Sequence, residues 1–163
     1  RPRLNLVFIG NSLIPLDELK DFPNFHHIPA VAYRDLPEYA AAFDAAIIPY
    51  LVDRRTESIN PLKLREYIAT GKPVVSTPLP EARALSPDVR VADGIEAFIQ
   101  ALEAGMAESP QTGLSRLASL AGHLWSDRAE QLSEWMEEAL GCNRAGSAGV
   151  PDTAASPSRR RLA

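Results

Sequence analysis

The 163-residue sequence predicts an α/β fold: a parallel sheet of about five strands, then C-terminal helices and a tail. Two observations carry this. Short apolar runs alternate with stretches of helical spacing, which is the pattern of strand–helix–strand units. The apolar runs are also continuous rather than alternating, as expected of parallel strands buried on both faces.

Leu4 to Gly10 reads as the first strand, closed by glycine. Leu16 to Lys20 reads as a short helix, and Phe25 to Ile28 as a second strand weakened by two histidines. Asp35-Leu36-Pro37-Glu38 has the form of a capping box, starting a helix that runs to about Ala42. Ala45 to Pro49 is a third strand. Asn60-Pro61 opens the next helix, with Asn as cap and Pro in the first turn. Gly71 ends that helix and Pro73 blocks its continuation. Val74 to Ser76 and Val89 to Ala92 are the fourth and fifth strands. Ile95 to Ala107 is a helix with Ile95, Phe98, Ile99 and Leu102 on one face.

Helical spacing continues through Leu117, Ala121, Leu124, Arg128, Leu132 and Trp135, with a break expected near Ser126-Asp127, where Asp127 and Glu130 form a second box. Trp125 and Trp135 read as packing anchors rather than ligand platforms. From Gly141 the composition of Gly, Ala, Ser, Pro and Arg predicts disorder. The expected organisation is a binding domain over 1–112, a helical segment over 113–140 and a tail over 141–163.

Composition narrows the function. Net charge is −4, and residues 141–163 hold four Arg and one Asp, so the rest carries −7. An acidic domain is a poor partner for nucleic acid. The Arg159-Arg160-Arg161 run reads as a solvated tail. No apolar run reaches the roughly 18 residues that span a bilayer. One cysteine, Cys142, and three histidines offer neither a disulfide nor metal-ligand spacing, so no metal is expected.

Open parallel sheets bind ligands at the carboxyl ends of their strands. That directs attention to the turns after Gly10, Ile28, Pro49 and Ser76, and above all to Asn60–Thr77. The first turn of the helix there has free N–H groups and a partial positive charge, suited to a diphosphate. Lys63 adds a full charge. Glu66 lies one turn inside on the face of Leu62 and is suited to accept hydrogen bonds from a ribose diol. The same residues also fit a plain reading, a solvated carboxylate paired with Lys63 at three-residue spacing.

The stretch Phe43-Asp44-Ala45-Ala46-Ile47-Ile48-Pro49-Tyr50, followed by Asn60-Pro61-Leu62-Lys63-Leu64-Arg65-Glu66-Tyr67-Ile68-Ala69-Thr70-Gly71-Lys72-Pro73-Val74-Val75-Ser76-Thr77, resembles the C-terminal, donor-binding half of family-4 glycosyltransferases of the GT-B fold. Tyr33-Arg34-Asp35-Leu36-Pro37 upstream and the Trp125/Arg128 pair downstream are similar to further parts of that pattern. The resemblance implies a Rossmann-like domain, with Glu66 as the ribose-binding acid and Leu62 and Lys63 at the diphosphate. The acid that contacts the donor sugar would fall at Ser58, with Glu57 one position out of register. Asn60 is the expected substitute. Gly10 and Asn11 would flank the base, and Pro29 stands where the family usually has Gly.

By this resemblance the chain serves glycosyl transfer from a UDP- or GDP-linked sugar to a polysaccharide or glycolipid, without metal or cofactor. The family's donor half begins with one further strand and helix, which the sequence does not show, and an acceptor half supplies catalytic groups. No catalytic residue is therefore assigned, the chain alone is expected to be inactive, and an acceptor-binding domain or chain is the expected partner. The expected location is the cytoplasm, with any membrane contact peripheral and at the inner face. The alternative is a non-catalytic remnant or nucleotide-binding module that acts through a partner chain.

Overall fold

The computed structural model describes residues 4–122 and 124–147, with side chains up to Gly141. The chain divides into two compact units, 1–120 and 121–163.

The first unit is built on five short parallel strands: β1 (Leu6–Ile9), β2 (Phe25–Ile28), β3 (Ala46–Ile48), β4 (Val74–Ser76) and β5 (Val89–Val91). All five lie where the sequence predicts strands, β2 despite its two histidines and β5 despite Arg90. They do not form one ladder. β1 pairs with β2, β3–β4–β5 form a separate three-stranded sheet, and every pairing is parallel. The helices are α1 (Asp17–Lys20), α2 (Leu36–Ala42), α3 (Leu62–Ile68), α4 (Pro80–Ala84), α5 (Ile95–Met106) and α6 (Pro110–Ala118). α4 was not legible in the sequence: Pro80 at its first turn suits a helix start, but five residues are too few for an apolar period to show.

The core gathers on the three-stranded sheet. Leu64 and Ile68, one turn apart on α3, are sealed against Ile48, Val74 and Val89, with Leu79 and Ala82 beside them. Val75 is also fully buried but lies outside that cluster. Neighbouring residues of a strand face opposite ways, so β4 is covered on both faces, with α5 packed on β4 and β5. The two-stranded sheet is different: Leu6 and Phe8 of β1 remain 42% and 37% exposed.

Two helix caps depart from the sequence reading. Asp35 ends a 3-10 turn (Tyr33–Asp35) in a helical conformation and makes no capping hydrogen bond. Its carboxylate pairs instead with Arg34 at 3.4 Å. At α3 the cap position is Pro61, and Asn60 lies one residue outside. The amide oxygen of Asn60 accepts from Arg65 Nη1 at 3.0 Å, a charged donor that outcompetes the backbone.

Close packing at the far end of α3 depends on glycine. Gly71 takes φ +70°, a left-handed conformation natural only to glycine. A Cβ on Gly113 of α6 would lie 2.7 Å from the Gly71 carbonyl oxygen, and one on Gly105 of α5 would lie 2.8 Å from Pro73 Cβ. Gly105→Ala is therefore expected to lose about 1–3 kcal/mol through overpacking, although alanine is the better helix former. Urea unfolding measures this, and an unchanged or raised midpoint would show that α5 shifts without cost.

Arg116 on α6 is 2% exposed. Its guanidinium donates to the Asp88 carbonyl (3.0 Å), the Gly71 carbonyl (2.8 Å) and Glu108 Oε2 (2.5 Å). Arg90 donates to Glu108 Oε1 at 2.8 Å. Burial pushes the Glu108 carboxyl up, but the hydrogen bonds from Arg116 and Arg90 outweigh it and hold it below its ordinary range.

In the second unit α7 runs from Trp125 to Ser147. The helix break falls before Trp125, a little earlier than expected, and Asp127 Oδ2 accepts from the Leu124 N–H at 3.0 Å. Helix continues past Gly141, so the expected disorder does not begin there; residues 148–163 lie outside the described residues. Trp125 and Trp135 are 84% and 58% exposed, which overturns their reading as packing anchors. Among the described residues no helix is long and apolar enough to cross a membrane.

Candidate functional site

A helix joining two parallel strands runs back along the sheet, so α3 begins at the carboxyl end of β3. The connecting loop is organised by Asp53, whose Oδ1 accepts from the N–H groups of Arg55 (2.8 Å) and Thr56 (3.0 Å). These bonds hold its carboxyl below the usual carboxylate range. Thr56 Oγ1 donates to the Leu51 carbonyl at 2.8 Å and closes the turn. The carboxyl ends of β3 and β4 are tied together: the Thr77 N–H donates to the Ile48 carbonyl (3.1 Å) and its hydroxyl to the Tyr50 carbonyl (2.7 Å).

On this frame α3 divides by face. Leu64 and Ile68 point into the core. Leu62, Lys63 and Glu66 face solvent, with Leu62 65% exposed. Arg65, between the two faces, is clamped by Asn60 and by Glu81 of α4, whose Oε1 lies 2.5 Å from Arg65 Nη2. The clamp fixes α3 to α4 and keeps Asn60 beside the helix start. Ser58 ends a short 3-10 turn (Thr56–Ser58) and is exposed.

Glu66 has a partner that spacing did not predict. Tyr33, at the turn after β2, donates its hydroxyl to Glu66 Oε1 at 3.1 Å. This hydrogen bond, with the carboxylate charge behind it, holds the Tyr33 phenol above its usual range. No ion pair joins Lys63 to Glu66 among the described residues, so the plain reading of Glu66 as half of a helix-surface pair fails. Tyr33 is otherwise 77% exposed. Its place in the Tyr-Arg-Asp-Leu-Pro stretch was the one available signal.

Gly10 and Asn11 follow β1. The Gly10 N–H donates to the Ile28 carbonyl (3.0 Å), and the Gly10 carbonyl lies 2.8 Å from His27 Nε2. No hydrogen bond or ion pair among the described residues joins Gly10 or Asn11 to the α3 group. The structure thus brings together Asn60, Arg65 and Glu81 in one clamp, Tyr33 and Glu66 in one pair, and leaves Gly10 and Asn11 on the other sheet. Among the described residues no group of His, Cys, Asp and Glu is placed to hold a metal.

Two clefts open in the first unit. One, of about 590 Å³, lies between the two sheets. The other, of about 390 Å³, lies among the Gly71 turn, α5 and α6. Neither includes Glu66 or Lys63 in its lining.

The profile of the family described as "Glycosyl transferases group 1" matches residues 1–108, which contain β1 to β5 and the whole α3 group. The chain belongs to this glycosyltransferase family. It is also 32% identical over 84 residues to TuaH of Bacillus subtilis (strain 168), whose name gives it, provisionally, as a teichuronic acid biosynthesis glycosyltransferase. The match covers 49% of this chain and 21% of TuaH, so the chain spans only a minor part of that relative's length. Family membership agrees with the glycosyltransferase half expected from the Asn60–Thr77 stretch, and with its parallel α/β architecture.

Proposed function

We propose that this chain forms the donor side of a glycosyl-transfer site and binds a nucleoside-diphosphate sugar along α3. The observation that carries the reading is the Glu66 carboxylate: exposed, at the carboxyl-end side of the sheet, and already accepting a hydroxyl from Tyr33. A ribose diol offers the same chemistry with two donors. In this reading it displaces the phenol and takes both carboxylate oxygens, while Lys63 offers its charge to the diphosphate. Asn60, with Ser58 on the preceding turn, stands toward the donor sugar. Gly10 and Asn11 belong to the base end of the ligand. The sugar would pass to a polysaccharide or glycolipid acceptor presented by another part of the enzyme.

Family membership supports transfer in general, and the exposure of the α3 polar face supports a ligand there. A panel of UDP- and GDP-linked sugars in a thermal-shift assay tests it. A true donor at 100 times its Kd is expected to stabilise the fold by about 2.7 kcal/mol. Absence of a shift with every UDP- and GDP-sugar at millimolar concentration would contradict the proposal. The cleft between the two sheets favours a second reading, a nucleotide-binding module completed by a partner. It predicts the same binding but no sugar transfer even when an acceptor-binding part is supplied, where the first reading expects transfer.

A further inference from the structure

We propose that Tyr33 is an internal competitor for the ribose, a latch whose hydroxyl occupies the Glu66 oxygen that the second hydroxyl of the diol needs. The inference rests on the donor-binding reading above and adds a consequence to it: removing the phenol hydroxyl should tighten nucleotide binding rather than weaken it.

The geometry carries this. Tyr33 Oη donates to Glu66 Oε1 at 3.1 Å. Among the described residues this is the hydroxyl's one hydrogen bond, and Glu66 Oε2 accepts none. The Tyr33 side chain is 77% exposed, on a turn (Tyr33–Asp35) with no buried residue. It is therefore held by its hydrogen bond rather than by packing, and exposed side chains change rotamer on the picosecond to nanosecond timescale. Glu66 is carried by α3, which Leu64 and Ile68 anchor in the core. When the pair parts, the phenol is the half that moves. The hydrogen bond to Glu66, with the carboxylate charge behind it, also holds the phenol above its usual range, so Tyr33 keeps its proton and remains a donor throughout neutral pH.

Counting hydrogen bonds gives the effect. A vicinal diol meets a carboxylate side-on, one hydroxyl to each oxygen. With Tyr33 on Oε1, a ligand that offers a single hydroxyl uses Oε2 and leaves the latch closed. It gains one bond and breaks none. A diol that takes both oxygens gains two and breaks one. The latch thus costs a ribonucleotide affinity, costs its 2′-deoxy counterpart little, and narrows the difference between them. The apparent Kd of a ligand that needs the open form is its intrinsic value divided by the fraction that is open. The nucleoside diphosphate left after transfer carries the same ribose as the donor, so the same competition limits how tightly that product is held.

Isothermal titration of the 163-residue chain with UDP, GDP and their 2′-deoxy counterparts tests the proposal. Tyr33→Phe keeps the ring and removes the donor. Whichever of UDP and GDP binds is expected to bind this variant about two- to tenfold more tightly than wild type. Its 2′-deoxy counterpart should gain little, and the melting temperature of the free protein should stay close to that of wild type. Unchanged binding would mean that Oε1 accepts both hydroxyls at once, and overturns the latch. Weaker binding overturns it in favour of a phenol that contacts the ligand. An equal gain for the 2′-deoxy ligand overturns it as well, since the ring would then block the site by bulk. These three outcomes leave the donor-binding reading standing. Binding of neither UDP nor GDP, by wild type or by variant, contradicts that reading itself, and the latch falls with it.

Discussion

Arg116→Leu is expected to destabilise the protein by about 3–5 kcal/mol, the cost of breaking a buried pair by removing one partner. Arg116 is 2% exposed, and its three donors reach Glu108 and the carbonyls of Asp88 and Gly71. The substitution strands both carbonyls and leaves Glu108 with Arg90 alone. The pH dependence gives a second signature. Glu108 titrates below its ordinary value in the folded protein, so its contribution is present above the unfolded carboxyl's value, about 4.5, and is lost as pH falls through the folded one. Wild-type stability should fall with acid in that window, and the fall should be shallower in Arg116→Leu. Arg116→Leu with Glu108→Leu should not recover the loss, because it also takes away the carboxylate that Arg90 pairs with. Denaturant midpoints at pH 7 and pH 4 measure all of this, and equal stability of wild type and single variant at pH 7 would show that water replaces the guanidinium.

Leu64→Ala is expected to lose about 2–5 kcal/mol, the range for emptying a sealed core position. Leu64 is 0% exposed and packs with Ile48, Ile68 and Val74, so it fixes α3 on the three-stranded sheet. Because Glu66 lies on the opposite side of the same seven-residue helix, the variant should also weaken any ligand read by α3, even where the fold survives. Calorimetric unfolding checks the stability loss, and a melting temperature within a degree of wild type would mean that the helix is held from elsewhere.

Much of this architecture was legible from residue order. Each of the five strands fell where the sequence predicts one, although His26 and His27 interrupt β2 and Arg90 interrupts β5, and glycine and proline marked the end of α3 at Gly71 and Pro73. What failed were the statements that needed a partner from elsewhere in the chain. Asn60 and Asp35 have good capping chemistry but bind Arg65 and Arg34 instead. Arg116 looks like any surface arginine, because the groups that bury it lie 8, 28 and 45 residues away. The division of the strands into two sheets could not be read from apolar runs, since each run is equally apolar whether or not it has a neighbour. In the site, Glu66 stood out through its place on α3. Tyr33, its partner 33 residues upstream, was visible only as part of a resembling stretch.

The central claim is that the exposed face of α3 reads a nucleoside-diphosphate sugar through Glu66. Glu66→Gln separates this from a structural role most directly, because the amide oxygen still accepts from Tyr33 while the charge is lost. Isothermal titration with the UDP- or GDP-sugar that shifts the wild-type melting curve is the measurement. The account predicts binding weaker by about 1.5–3 kcal/mol, the worth of a hydrogen bond to a charged group, which is about ten- to 150-fold in Kd, with an unchanged melting temperature of the free protein. Undiminished affinity together with a large fall in that melting temperature would contradict it and make Glu66 a structural residue.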